Sequence, residues 1–171
     1  VMPIPYNLKV SDEEKIYHKL IQQSDMGHVH IAPHALRAAA MFSVLTRLRE
    51  SKKQGTDLIK KMRLYDGETV EGYKESDLRE LQNEHLDEGM DGIDPRYVIN
   101  RISSALIRQD ATCINALDIL RALKDGLDQH PSITKEQRER YLNFISVARK
   151  EYDEAAKNEV QKAFVYSYEE S

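Results

Sequence analysis

Residues 94–106, Asp94-Pro95-Arg96-Tyr97-Val98-Ile99-Asn100-Arg101-Ile102-Ser103-Ser104-Ala105-Leu106, decide the fold. Asp94 offers a side-chain acceptor to the orphan N–H groups of a helix start, and the ring of Pro95 is preset for a first turn. Val98, Ile102, Ala105 and Leu106 then recur at helical spacing, which predicts a helix with one buried face. The same pattern continues on both sides. Downstream, Ala116, Leu120, Leu123 and Leu127 predict a partner helix that begins at Thr112 and is stopped by His130-Pro131. Thr134-Lys135-Glu136-Gln137 is a capping box opening about 35 residues without Gly or Pro, ~50 Å if unbroken. Tyr141, Phe144, Ile145, Ala148 and Tyr152 make the first half of that helix apolar. Beyond Tyr152 the stripe thins to Ala155, Ala156, Val160 and Phe164, so the second half is expected to protrude, bend back or pack on another surface.

Upstream, Ser11-Asp12-Glu13-Glu14 reads as a capping box for a helix over 12–24 carrying Ile16, Leu20 and Ile21. Pro33 is placed as the first residue of the next helix, whose stripe is Leu36, Ala40, Val44 and Leu48, widened by Met41 and Leu45. Its alanines, Ala38 to Ala40, permit a close neighbour. Residues 51–92 form a more polar insertion with a short helix over 58–64, a turn at Asp66-Gly67 and a helix over 76–85. Val1 to Val10 carry Pro3 and Pro5, which limit them to an edge strand or an extended lead-in. The expected fold is mainly α, a multi-helix orthogonal or bundle-like packing with a short N-terminal extended segment and a long C-terminal helix.

Composition agrees and excludes several functions. The 171 residues, 40% hydrophobic and 32% charged, suffice for one ordinary core. Seven Gly and five Pro are too few for a sandwich or barrel with frequent turns. A net charge of −4 removes the broad electrostatic reason to bind nucleic acid. The longest apolar run, Ala38 to Phe42, is far short of a membrane span. One cysteine, Cys113, rules out an internal disulfide and fits a reducing, cytoplasmic setting. A start at Val1 and an end inside a helical pattern predict an excised fragment of a longer protein.

Candidate chemistry is sparse. His28, His30 and His34 have imidazole ligands, but Pro33 separates the last from the others and no carboxylate or thiol adjoins them, so a metal site is not expected. Cys113 reads as a small buried residue at a helix start rather than a reactive thiol. Asp87 and Glu88 are expected to be solvated surface acids. There is no G-x-x-x-x-G-K-[ST], no G-x-G-x-x-G and no V-A-I-K, H-R-D or D-F-G, so phosphate chemistry is not expected of these residues alone. The stretch from Glu88 to Arg101 stands out. Gly89 and Gly92 permit a tight loop, and Arg96 falls in a first turn where a guanidinium and backbone N–H groups can meet one phosphate. The competing reading pairs Arg96 with an acid such as Glu88 or Asp91, or leaves it simply solvated.

The run GMDGIDPRYVINRISSAL (89–106), followed by CINALDILRALKDGLDQHPSITKEQRERYLNFISVARKEYDEAAKNEVQKAFVYSYEES (113–171), resembles the PrkA family of bacterial serine protein kinases. VMPIPYNLKVSDEEKIYHKLI (1–21) and HIAPHALRAAAMFSVLTRL (30–48) resemble the stretch where that family's AAA+ core ends and its helical lid begins. The resemblance implies an ATP-dependent serine protein kinase, active in stress or developmental programmes, whose nucleotide-binding module and metal-binding acids lie upstream of Val1. It implies a division into the end of the AAA+ core with a lid-like region over 1–110 and a C-terminal helical region over 111–171. Asp94-Pro95-Arg96 resembles the sensor-2 position of AAA+ lids, which implies that Arg96, and one turn on Arg101 more weakly, touches the terminal phosphate. No cofactor is implied within these residues, whereas ATP and Mg are implied for the whole protein. The implied partners are the upstream module of the same chain and protein substrates, with a homo-oligomer as a further option. Two other readings remain open: the lid of an AAA+ remodelling or proteolytic machine, and a helical interaction module using the face beyond Tyr152.

Overall fold

The structure, a computed structural model, describes residues 4–109 and 112–170. In chain order the elements are α1 (Val10–Gln22), β1 (His30–Ile31), α2 (Ala35–Arg47), α3 (Leu58–Tyr65), α4 (Glu75–Glu84), α5 (Pro95–Gln109), β2 (Cys113–Ile114), α6 (Ala116–Leu127) and α7 (Lys135–Glu170). This is the expected mainly α architecture, with α2 at its centre. Helix α2 contacts α1, α3, α6 and α7, and all its residues except Arg37 are buried. Ala38, Ala39 and Ala40 are fully covered, as close helix approach requires. Phe42 of α2 meets Tyr141 of α7 edge-on with ring centroids 6.4 Å apart, and Tyr141 stacks on Phe144.

Helices α5 and α6 pair as their stripes predict, burying Val98, Ile102, Ala105 and Leu106 with Ala116, Leu120, Leu123 and Leu127. Strands β1 and β2 form a two-residue parallel bridge, His30 opposite Cys113 and Ile31 opposite Ile114. It fastens the connector before α2 to the connector before α6.

Three helix starts differ from the sequence reading. Helix α1 begins at Val10, so Ser11 lies inside the first turn and caps nothing. Its backbone N–H and hydroxyl both donate to the Asp66 carboxylate at 2.9 Å, so an acid from the end of α3 satisfies the exposed helix start. The buried face of α1 is Val10, Glu13, Tyr17 and Ile21, with Ile16 and Leu20 half-buried beside it. Pro33 lies before α2, not in it, because His34 takes a left-handed conformation (φ 65°) that turns the chain into the helix. Thr112 does not open α6. Asn115 does, through a reciprocal box in which its side chain accepts from the Asp118 N–H at 2.9 Å and the Asp118 carboxylate accepts from the Asn115 N–H at 3.1 Å.

The capping box at Thr134 forms as predicted, with Gln137 N–H donating to the Thr134 hydroxyl at 3.1 Å. Helix α7 runs unbroken from there. Arg63 holds it at Glu151 and His34 at Glu159, each at 2.6 Å. Val160, Phe164, Val165 and Tyr166 are exposed, so the second half protrudes. Residues 4–9 are an irregular lead-in; Pro3 lies outside the described residues. No helix is long and apolar enough to cross a membrane among the described residues.

Candidate nucleotide-sensing site at the head of helix α5

The loop that precedes α5 is built from the two glycines and held by buried charge. Gly89 (φ 87°) sits where a Cβ would come within 2.8 Å of the Tyr6 carbonyl, and the Tyr6 N–H donates back to the Gly89 carbonyl at 2.7 Å. Gly92 (φ 110°) lies against the Thr46 carbonyl and the Arg47 side chain, where a Cβ would meet atoms at 2.7 and 2.9 Å. Both glycines therefore serve approach between parts of this chain, not approach to a ligand.

Around them, Arg47 is wholly buried. It pairs with Glu13 at 2.6 Å, donates to the carbonyls of Ile93 and Asn7, and lies over the Tyr6 ring at 4.9 Å. Glu88, expected at the surface, is buried instead: its carboxylate accepts from Lys61 Nζ, the Tyr65 hydroxyl and the Arg49 N–H. Burial and the neighbouring Glu88 carboxylate drive the Tyr65 phenol far above its ordinary pKa. Asp87 is exposed as expected, and with Asp91 it pairs with Arg49 at 3.2 and 2.9 Å.

These contacts deliver the head of α5 in a fixed position. Asp94 Oδ1 accepts from the Arg96 N–H at 2.8 Å, the Asp94 carbonyl accepts from the Tyr97 N–H, and the Tyr6 hydroxyl donates to Asp94 Oδ2 at 3.3 Å. Two backbone donors of the first turn are thus already used. Arg96 is exposed, and its guanidinium has no hydrogen-bond or ion-pair partner among the described residues. Neither Glu88 nor Asp91 neutralises it, each being engaged elsewhere, and the guanidinium stands in solvent, as the solvated alternative has it. An anion here would meet the guanidinium rather than a cradle of backbone N–H groups. Arg101 is placed differently. Its Nε donates to the Ala122 carbonyl at 2.9 Å, and its side chain and the Tyr97 hydroxyl occupy the space a Cβ on Gly126 would need. It seals α5 against α6.

The remaining candidates scatter. His30 lies on β1, His34 is bound to Glu159, and no group of three His, Cys, Asp or Glu side chains is arranged to hold a metal among the described residues. Cys113 is exposed on β2 rather than buried at a helix start, because the bridge to His30 displaces the start of α6 to Asn115. The buried partners of the loop, Arg47, Glu13 and Lys61, were missed in the sequence. The one local hint is that Arg47 closes the most apolar helix, next to Val44, Leu45 and Leu48.

Residues 59–171 match the family model described as PrkA serine protein kinase C-terminal domain, and residues 1–55 match the PrkA AAA domain. The chain belongs to the PrkA family. It is 70% identical over 171 residues to a Bacillus subtilis (strain 168) protein named ATP-dependent protease PrkA, covering 100% of this chain and 27% of the relative. It is 32% identical over 179 residues to the serine/threonine kinase YeaG of Escherichia coli (strain K12), covering 99% of this chain and 27% of that relative. The chain thus spans about a quarter of the length of the curated relatives it matches. No solved structure matches it.

Proposed function

We propose that this chain is the lid and C-terminal regulatory region of an ATP-dependent, cytoplasmic serine protein kinase and couples nucleotide state to activity. The observation that carries the reading is Arg96, exposed and without a partner among the described residues, on a helix head tied through Asp94 and Tyr6 to the leading segment. In this reading the leading segment descends from the upstream AAA+ module, which holds ATP and Mg with its own residues. Arg96 supplies a charge-assisted contact to the terminal phosphate, which favours closure of the helical body over the nucleotide. Protein substrates meet the whole protein, not this region alone.

The test is Arg96→Ala in the full-length protein. Loss of one charge-assisted contact of about 1.5–3 kcal/mol corresponds to roughly a 10- to 150-fold fall in ATP-dependent phosphorylation of a protein serine, with the melting temperature unchanged. Unaltered turnover would remove the assignment.

The name of the Bacillus subtilis relative, ATP-dependent protease PrkA, favours a second reading, in which the same lid serves an ATP-dependent protease. The two separate on products: a kinase leaves phosphoserine, and a protease leaves cleaved peptide bonds.

A further inference from the structure

On the side of α6 that faces α7 lies a groove of about 370 Å³ whose floor is apolar and whose rim is basic. Leu117, Leu120, Leu142 and Ile145 make the floor, and Leu117 is still 39% exposed. Arg121 and Lys124, one turn apart on α6, and Arg149, two turns beyond Leu142 on α7, make the rim. No acidic residue lines it. The three cations are exposed, and none has a hydrogen-bond or ion-pair partner among the described residues. By contrast, Arg37, Arg47, Arg49, Lys53, Lys61 and Arg63 each sit in an ion pair. In a chain of net charge −4, this groove gathers three positive charges with no acid on its lining.

We propose that this groove docks an acidic segment of a partner protein, which inserts one leucine-sized side chain between α6 and α7 and sets flanking carboxylates against Arg121, Lys124 and Arg149. The trough fixes the apolar part of the ligand, since Leu117, 39% exposed above the buried Leu120, gains cover from an apolar side chain. The rim fixes the charge, since carboxylates satisfy guanidinium forks that the protein itself leaves open. The proposal is independent of the nucleotide-sensing reading; it uses none of the residues at the head of α5.

The experiment measures fluorescence anisotropy of a fluorescein-labelled peptide, EELEE, with the full-length protein. Expected are saturable binding, at least tenfold weakening in the double variant Arg121→Glu, Arg149→Glu, several-fold weakening with the peptide EEAEE, and loss of affinity as salt rises. The neutral variant Arg121→Gln, Arg149→Gln, checked by circular dichroism for an unchanged fold, should weaken binding to an intermediate degree. Absence of binding, equal binding by the charge-reversed variant, or indifference to the leucine would overturn the proposal. So would a dimer in sedimentation that Arg149→Glu dissolves, which would make a second copy the occupant. A phosphoserine peptide binding more than tenfold tighter than EELEE would also overturn it, by making phosphate the recognised group.

Discussion

Lys61 Nζ and Glu88 Oε2 meet at 2.6 Å with side chains 0% and 3% exposed, an ion pair sealed between α3 and the loop before α5. The Tyr65 hydroxyl donates to the other carboxylate oxygen, and Lys61 also donates to the Arg49 carbonyl, so both charges are well satisfied. Such a pair punishes removal of one member more than removal of both. Lys61→Met alone should lower stability by about 3–5 kcal/mol in urea unfolding, because it strands a buried carboxylate. Adding Glu88→Gln should recover a substantial part of that loss. Equal losses in the single and double variants would show that the pair's charge is not what matters.

Gly89→Ala should detach the leading segment. The residue lies at φ 87°, and its Cβ would press on the Tyr6 carbonyl, so a cost above about 1 kcal/mol is expected from backbone strain alone. Thermal melting should report the loss of stability, and hydrogen exchange should show the Tyr6 amide released. Gly67, with a similar φ and open space around it, should cost less on the same substitution.

Alkaline pH should unfold this protein through its phenols. Burial raises the pKa of Tyr97 to about 12, and burial also raises Tyr17 and Tyr65 well above the ordinary phenol value, with Glu13 and Glu88 respectively adding to the effect. A phenol that keeps its proton longer when folded stabilises the fold fully below the unfolded value of about 10 and loses that contribution as pH climbs through the folded value. Stability should therefore fall between about pH 10 and 12, and tyrosinate absorbance should rise together with loss of helical signal. Tyr97→Phe should flatten part of that decline while losing the bond to the Leu123 carbonyl. Full tyrosine ionisation with the helices intact would contradict the expectation.

Periodicity made the helices legible, and local chemistry misled at their starts. The stripes of α2, α5, α6 and the first half of α7 follow from spacing alone, because burial of one face is a local pattern. The start of α1 was hidden because its cap comes from Asp66, 55 residues away in sequence. At α6 two caps compete within four residues. Asn115 prevails because Cys113 and Ile114 are taken up by the bridge to β1, a contact that no local signal announces. The site divides in the same way. Arg96 and Asp94 stand out as a helix start, whereas the surroundings of Glu88 and Arg47 depend on partners 27 and 34 residues distant. A charge judged by its neighbours in sequence is assigned to water, and only the fold shows that it is dry.

Arg47 has one more consequence. It grips the carbonyl of Asn7, the ring of Tyr6, the carboxylate of Glu13 and the carbonyl of Ile93 at once. Tyr6 and Asn7 are therefore tied through one buried side chain to the residue just ahead of Asp94, without passing through α1. The backbone takes 87 positions to go from Tyr6 to Ile93, and the guanidinium ties the two ends of that path together.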